Sequence, residues 1–128
     1  MGVLKRIYWL KYAGKTRKYY NAKKYDKALI CAEKALEFAE EAYNPEHLNV
    51  NRALFNLVIV HRVRKEFDKA LEYGKRAIEI TEKNRGKDDI ALIDDLKNIL
   101  QVYEDMGQKD KADDISNRIE YIRKINGV

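Results

Sequence analysis

The sequence predicts an all-α fold: an α–α superhelix, or short solenoid, of three helical hairpins with six helices. A four-residue motif occurs three times at a fixed interval of 42 residues, and such a period is typical of repeat arrays. The single proline leaves long helices uninterrupted, and no segment shows the pattern of a strand. The three copies of the motif are Tyr25-Asp26-Lys27-Ala28, Phe67-Asp68-Lys69-Ala70 and Lys109-Asp110-Lys111-Ala112.

The composition is typical of a soluble helical protein. The chain has 128 residues, of which 45% are hydrophobic and 37% are charged. No apolar run approaches the ~20 residues that a membrane span requires, and the charged start of the chain is unlike a signal peptide. We therefore expect one cytoplasmic domain over residues 1–128, with repeats over about 3–43, 45–85 and 87–126.

Apolar periodicity predicts where the helices lie, and the three motif aspartates predict where the second helix of each hairpin begins. An aspartate ahead of such a run is a good N-cap, because its carboxylate accepts the free N–H groups of the first turn. Asn44 is expected to cap the third helix, with Pro45 in its first turn. The predicted helices begin at about residues 3, 26, 45, 68, 87 and 110.

Small residues recur on the second helix of each hairpin and predict close packing of the helix backbones. A leucine at these positions would hold the two helices apart or strain the pair. Ile119 in the last hairpin is the exception, as expected where no further repeat follows. The three sets are Ala28/Ala32/Ala35, Ala70/Gly74/Ala77 and Ala112/Ser116/Ile119.

The chain resembles the tetratricopeptide repeat family over nearly its whole length. The segment from Tyr19 to Ala28 is similar to the turn between helices A and B of that family, with its paired tyrosines, its aromatic-Asp pair and its alanine. The usual period is about 34 residues, so the longer period here resembles that of kinesin light chains. The resemblance implies a non-catalytic module that binds a peptide or a partner protein.

The resemblance also implies a concave groove lined by helix A of each hairpin. The family's Asn at the positions of Asn56 and Asn98 commonly bonds the backbone of a ligand, and an amide suits this because it is both a donor and an acceptor. The alternative is that both are exposed polar residues. The expected partner-binding residues are Arg17, Tyr20, Asn21, Arg52, Asn56, Lys97, Asn98 and Gln101, with Ala13, Phe55, Ile59 and Asp94 beside them.

The charges of this groove bear on the choice of partner. The residues of a chaperone-tail carboxylate clamp are not matched, because the corresponding positions hold Ala13, Arg17, Asp94 and Asn98. Arg17, Arg52, Arg62 and Lys97 still favour an acidic segment. The alternative is a solvated charged face, which is the favoured interpretation for Arg62.

The sequence is also consistent with two other kinds of partner. Residues 1–27 have nine Lys or Arg and one acidic residue, which indicates either a solvated helix face or a surface for anions. Nucleic acid is the less favoured anion, because we expect the aromatic residues there to pack in the core; they are Tyr8, Trp9, Tyr12, Tyr19 and Tyr20. Self-association is the other possibility, through apolar residues at the two ends of the array, namely Val3, Ile7, Leu10, Ile119, Ile122 and Ile125.

The inventory of reactive side chains argues against an enzyme. His47 and His61 are 14 residues apart, which is outside close ligand spacing on a helix, and Cys31 has no partner thiol. Ser116 is the single serine and is expected to pack between helices. The sequence therefore predicts no catalytic residue, no metal site and no cofactor.

Overall fold

The computed structural model describes residues 2–128, and within this range it contains six α-helices and no β-strand. Each of the three hairpins is formed by consecutive helices, and the second helix of one hairpin packs on the first helix of the next. This confirms the predicted all-α solenoid of three hairpins. The helices are α1 (Gly2–Asn21), α2 (Tyr25–Ala42), α3 (Leu48–Val63), α4 (Phe67–Arg85), α5 (Leu92–Asp105) and α6 (Lys109–Asn126).

The array curves because its two sides pack differently. The first helices of successive hairpins touch one another, α1 with α3 and α3 with α5. Within residues 2–128 the second helices make no such contacts, neither α2 with α4 nor α4 with α6. The concave side is therefore formed by α1, α3 and α5.

The turn inside each hairpin has the same hydrogen bonds in all three copies. In the first turn the Lys24 amide donates to the Tyr19 carbonyl over 2.9 Å, and the bonds from Glu66 and Gln108 occupy the same positions in the other two. One residue in each turn has a left-handed backbone, with φ of 61° at Lys23 and Lys65 and 72° at Gly107. Only the third copy therefore has the residue that adopts this conformation without strain.

The prediction that the motif aspartates are N-caps is wrong. The second helices begin one residue earlier, at Tyr25, Phe67 and Lys109, and no side chain caps them. The first bond of α2 runs from the Ala28 amide to the Lys24 carbonyl over 3.0 Å, so Lys24 and not Asp26 stands at the N-cap position. Asp26 lies in the first helical turn instead, where the helix dipole favours its charge and where it pairs with Arg64.

The linkers between hairpins are longer than predicted. Helix α3 begins at Leu48, and His47 is its N-cap, with Nδ1 accepting from the Asn49 amide over 3.0 Å. Asn44 does not cap this helix, because its side chain accepts from the Glu46 amide within the linker. Helix α5 likewise begins only at Leu92, after a turn closed by the Asp89 side chain and the Ala91 amide over 2.8 Å.

An asparagine at the end of a second helix holds each linker in place. The Asn84 Nδ2 atom donates to the Glu46 carbonyl over 2.7 Å. The Asn126 Nδ2 atom donates to the Asp88 carbonyl over 2.9 Å, and both pairs are related by the 42-residue period. The extra residues of this long repeat are therefore tied to the hairpin that follows them in the chain.

The core confirms the close packing that the small residues predicted. Ala28, Ala32 and Ala35 are fully buried, and a Cβ atom on Gly74 would lie closer to the Ile99 Cγ2 atom than van der Waals contact allows. Larger side chains fill the space between hairpins. The largest fully buried ones are Leu54, Leu57, Leu92, Leu96 and Ile122.

One end of the array differs from the prediction, and the other agrees with it. Ile119 and Ile122 are buried in the last hairpin and cannot form an apolar terminal surface, although Ile125 is exposed. At the other end Val3, Ile7 and Leu10, which were also expected at a terminal surface, are exposed to solvent. Helix α1 packs on the rest of the hairpin through its opposite face, which buries Trp9 and Thr16. On this face the Trp9 ring meets the Tyr43 ring edge-on, with 6.0 Å between the ring centres.

Candidate functional site

A groove of about 400 Å³ lies on the concave side of the array, between α1, α3 and α5. Trp9, Ala13 and Arg17 of α1 form one wall, and Asp94 and Asp95 of α5 belong to the opposite wall. The other residues that line the groove are Leu48, Asn51, Arg52, Ala53, Phe55, Asn56, Thr81, Arg85 and Ala91.

A smaller depression of about 190 Å³ continues the groove along α1 and α3. It shares Arg17 and Asn56 with the larger one, and Tyr20 and Ile59 lie in its lining. The two depressions together form one surface, which we call the inner groove.

The structure brings together half of the predicted partner-binding residues. Arg17, Arg52 and Asn56 line the larger part of the inner groove, and Tyr20 lines the smaller part. The remaining four do not line it; they are Asn21, Lys97, Asn98 and Gln101.

Asn98 differs from the free amide that the resemblance implies. Its side chain is buried, and its Nδ2 atom donates to the Phe55 carbonyl over 3.2 Å. This bond joins α5 to α3 and places Asn98 within the packing between hairpins. Asn21, Lys97 and Gln101 are exposed, beyond the lining of the groove.

Three arginines outnumber the two aspartates, Asp94 and Asp95, in the lining of the inner groove. No ion pair within residues 2–128 includes Arg17, Arg52 or Arg85. The Arg52 guanidinium instead lies 5.6 Å from the centre of the Trp9 ring, an attractive cation–π arrangement that leaves its N–H groups available to a ligand.

Sequence reasoning missed a buried polar cluster in one wall of the groove. The Asn51 Nδ2 atom donates to Thr81 Oγ1 over 2.9 Å and to Asp95 Oδ2 over 3.3 Å. Burial raises the pKa of Asp95, and the hydrogen bonds from Thr81 and Asn51 oppose this rise. One signal was present in the sequence: Asp95 occupies the repeat position of the buried Ala53, where a charge is unexpected.

The reactive side chains lie apart from the groove and from one another. His61 is buried beside Glu66, with its Nδ1 atom 3.0 Å from Glu66 Oε1, and stacks on Tyr73. Cys31 is a buried free thiol. No group of three His, Cys, Asp or Glu residues in the described range could hold a metal ion.

The aromatic residues of α1 pack within the chain. Trp9 is buried, and the rings of Tyr8 and Tyr12 lie 5.2 and 5.7 Å from that of Phe38. Tyr20 lies 5.6 Å from Tyr25. These contacts agree with packing, the interpretation favoured for these rings, and offer no row of free rings on which bases could stack.

Three stacked helical hairpins with a groove on the inner side define a helical-repeat protein of the binding type. A family model described as "Tetratricopeptide repeat" matches residues 19–83 and again residues 50–122. The chain therefore belongs to the tetratricopeptide repeat family, as the resemblance implied. No curated protein matches the chain.

Membership of this family establishes the class of function. Tetratricopeptide repeats are non-catalytic and generally mediate protein–protein interaction. Among residues 2–128 there is no helix with the length and apolar character needed to cross a membrane.

Proposed function

We propose that the inner groove binds a short acidic segment of a partner protein, without catalysis. The observation that carries this proposal is the set of three arginines, Arg17, Arg52 and Arg85, which line one groove and are not engaged by acidic side chains of the described chain. A guanidinium binds a carboxylate through two parallel hydrogen bonds, so each arginine favours an Asp or Glu of the ligand.

The lining of the groove adds apolar area to these charges. Trp9, Leu48 and Phe55 contribute to its lining beside the arginines. Its volume of about 400 Å³ is in the range of sites that enclose a small ligand. It therefore suits a few residues of an extended peptide with an apolar side chain between acidic ones.

Asn56 is the residue that we assign to the backbone of the peptide. It lines both parts of the groove, whereas the Nδ2 atoms of Asn51 and Asn98 bond within the chain. Its amide matches the donor and acceptor of a peptide unit. Tyr20 belongs to the smaller part of the groove, and we propose that Asn21, Lys97 and Gln101 extend the binding surface at its margins.

The long period supports a finer assignment within the family. We propose that the chain is of the 42-residue, kinesin-light-chain-like type, which its period supports; its extra residues form linkers that Asn84 and Asn126 bond. Self-association through both ends of the array is the weaker candidate, since Ile119 and Ile122 are buried.

Selection from a library of random displayed peptides tests the proposed function. We expect the selected peptides to be rich in Asp and Glu, and Asn56→Ala to weaken their binding by about tenfold with an unchanged Tm. Asn117→Ala, on an exposed position of α6, is the control and should bind as the wild type does. Equal affinities of the Asn56→Ala variant and the wild type would remove the assigned role of Asn56, and selection of basic peptides would contradict the acidic ligand.

A further inference from the structure

Helix α1 has a second apolar face that no other part of the described chain covers. Four large apolar side chains in its first three turns are exposed by half or more: Val3 (70%), Leu4 (52%), Ile7 (54%) and Leu10 (57%). The opposite face of the same helix already packs on the hairpin through Trp9 and Thr16. We call the exposed face, from Val3 to Lys18, the outer face of α1.

Basic residues border this apolar stripe on both sides. A helix turns by about 100° per residue, which places Arg6 along one edge of the stripe and Lys15 along the other, while Lys11 and Lys18 lie within its arc towards the end of the helix. Helix α1 contains no Asp or Glu. The outer face is therefore an apolar strip between two cationic margins, on a helix without a compensating negative charge.

The orientation of this face is held by the rest of the hairpin. Lys5 pairs with Glu41 of α2, and the Arg6 guanidinium lies 5.1 Å from the centre of the Tyr43 ring. These contacts join α1 to α2 and its following linker. The apolar strip is thus presented outward before any partner arrives, and binding needs no rearrangement of the helix.

We propose that the outer face of α1 binds the surface of a membrane that contains anionic lipids. A helix with an apolar strip and basic margins lies in the plane of such a surface, with the apolar side chains at the acyl boundary and the cations at the headgroups. Anionic headgroups attract nearby Lys and Arg side chains. The two features occur together here, since Ile7 and Leu10 lie between Arg6 and Lys11.

Charge argues against the other occupants of this face. A second copy that docked through its own α1 would oppose cations to cations, because the helix has no acidic residue. A nucleic acid would use the basic margins but would leave Val3, Leu4 and Ile7 exposed to water. A membrane surface contacts the basic side chains with its anionic headgroups and covers the apolar side chains with its acyl chains.

Sedimentation of the full chain with lipid vesicles tests the proposal. We expect binding to phosphatidylcholine vesicles that contain phosphatidylserine, little binding to pure phosphatidylcholine, and weaker binding as salt increases. The triple variant Lys11→Glu, Lys15→Glu, Lys18→Glu should bind at least about tenfold more weakly. The double variant Leu4→Ser, Ile7→Ser should lose a similar fraction of its affinity for the vesicles, because less apolar area enters the membrane.

Matched controls separate this face from general charge and hydrophobicity. Lys69→Glu, Lys75→Glu, Lys124→Glu makes the same change of net charge at exposed positions elsewhere, and Ile30→Ser, Ile125→Ser removes two exposed isoleucines outside α1. Both should bind vesicles as the wild type does, and all variants should keep the wild-type helical circular dichroism.

Three results would overturn the proposal. The first is no binding of the wild type to the anionic vesicles. The second is an equal loss of vesicle binding in the controls and in the α1 variants. The third is a wild type that does not bind vesicles but forms a dimer in light scattering, which the Leu4→Ser, Ile7→Ser variant does not form. The last result would assign the face to a second copy. None of these results bears on peptide binding in the inner groove, so the two proposals fail independently.

Discussion

The hydroxyl group of Thr81 donates a hydrogen bond of 2.6 Å to the Oδ2 atom of Asp95, which joins α4 to α5 in the wall of the inner groove. Asn51 of α3 donates to the same carboxylate, so three helices meet at one acidic group. Asp95 is 5% exposed, and its hydrogen-bond donors are neutral. The carboxylate therefore loses hydration without gaining a cation, which is why its pKa is raised.

This raised pKa predicts how stability depends on pH. Because the folded state binds the Asp95 proton more tightly than the unfolded state, its stabilising effect is complete below the unfolded pKa and is lost as pH rises through the folded pKa. Asp95→Asn removes this dependence. The Tm of the variant relative to the wild type should therefore increase as pH rises above about 4, the ordinary pKa of an aspartate.

Thermal unfolding followed by circular dichroism measures this difference. Asp94→Asn, at the exposed neighbouring position, is the control and should show no such trend. A difference in Tm between Asp95→Asn and the wild type that stays constant with pH would contradict the raised pKa of Asp95.

Glu66 should show the opposite dependence. The hydrogen bond from Arg64, and then that from His61, lowers the pKa of Glu66 to about 2. The stabilising effect of Glu66 is therefore present above its unfolded pKa and is lost as pH falls through about 2. The loss of Tm caused by Glu66→Gln should be full above about pH 5 and should shrink towards zero at about pH 2, while Glu79→Gln, an exposed control on α4, stays near the wild type throughout.

Two glycines in helices should respond in opposite directions to the same substitution. Gly74→Ala places a methyl group against Ile99 and should lower the free energy of unfolding by about 1–3 kcal/mol. Gly14 has no atom within 4 Å of an added Cβ, so Gly14→Ala should raise it by about 0.5–1 kcal/mol. Urea denaturation measures both, and a stabilised Gly74→Ala variant would show that the two hairpins are not in close contact there.

The left-handed turn residues give a further pair of variants. Lys65 has a φ of 61°, and the left-handed conformation costs a residue with a Cβ atom about 1–2 kcal/mol. We expect Lys65→Gly to raise the free energy of unfolding by up to about 1 kcal/mol, after the backbone entropy of glycine is subtracted. Gly107→Ala should lower it by a similar amount, and the same denaturation experiment would contradict this if both variants moved in one direction.

The sequence predicted the features that the 42-residue period governs. The hairpins, their order and the small residues at positions such as Gly74 follow from local periodicity, because each is set by neighbours in the same or the adjacent helix. The predicted N-caps were wrong because each second helix begins one residue earlier, with Lys24, Glu66 and Gln108 at the N-cap positions. The backbone of the preceding turn sets this start, and the apolar pattern does not report it.

The inner groove was only partly predictable. The resemblance placed Arg17, Arg52 and Asn56 on one surface, as their repeat positions require. The cluster of Thr81, Asp95 and Asn51 was missed because it joins residues that are 14 to 44 positions apart. The buried face of α1 was not predictable because both of its faces contain apolar residues, and periodicity alone does not decide between them.

The bonds from Asn84 to Glu46 and from Asn126 to Asp88 make each later repeat a self-contained building block. Residues 43–84 include a linker, both helices of a hairpin and the asparagine that fastens that linker. A duplicated copy of this segment would bring its own fastening and would present its first helix to the preceding hairpin as α3 does. Insertion of such copies would therefore lengthen the array, and with it the groove, by one repeat at a time.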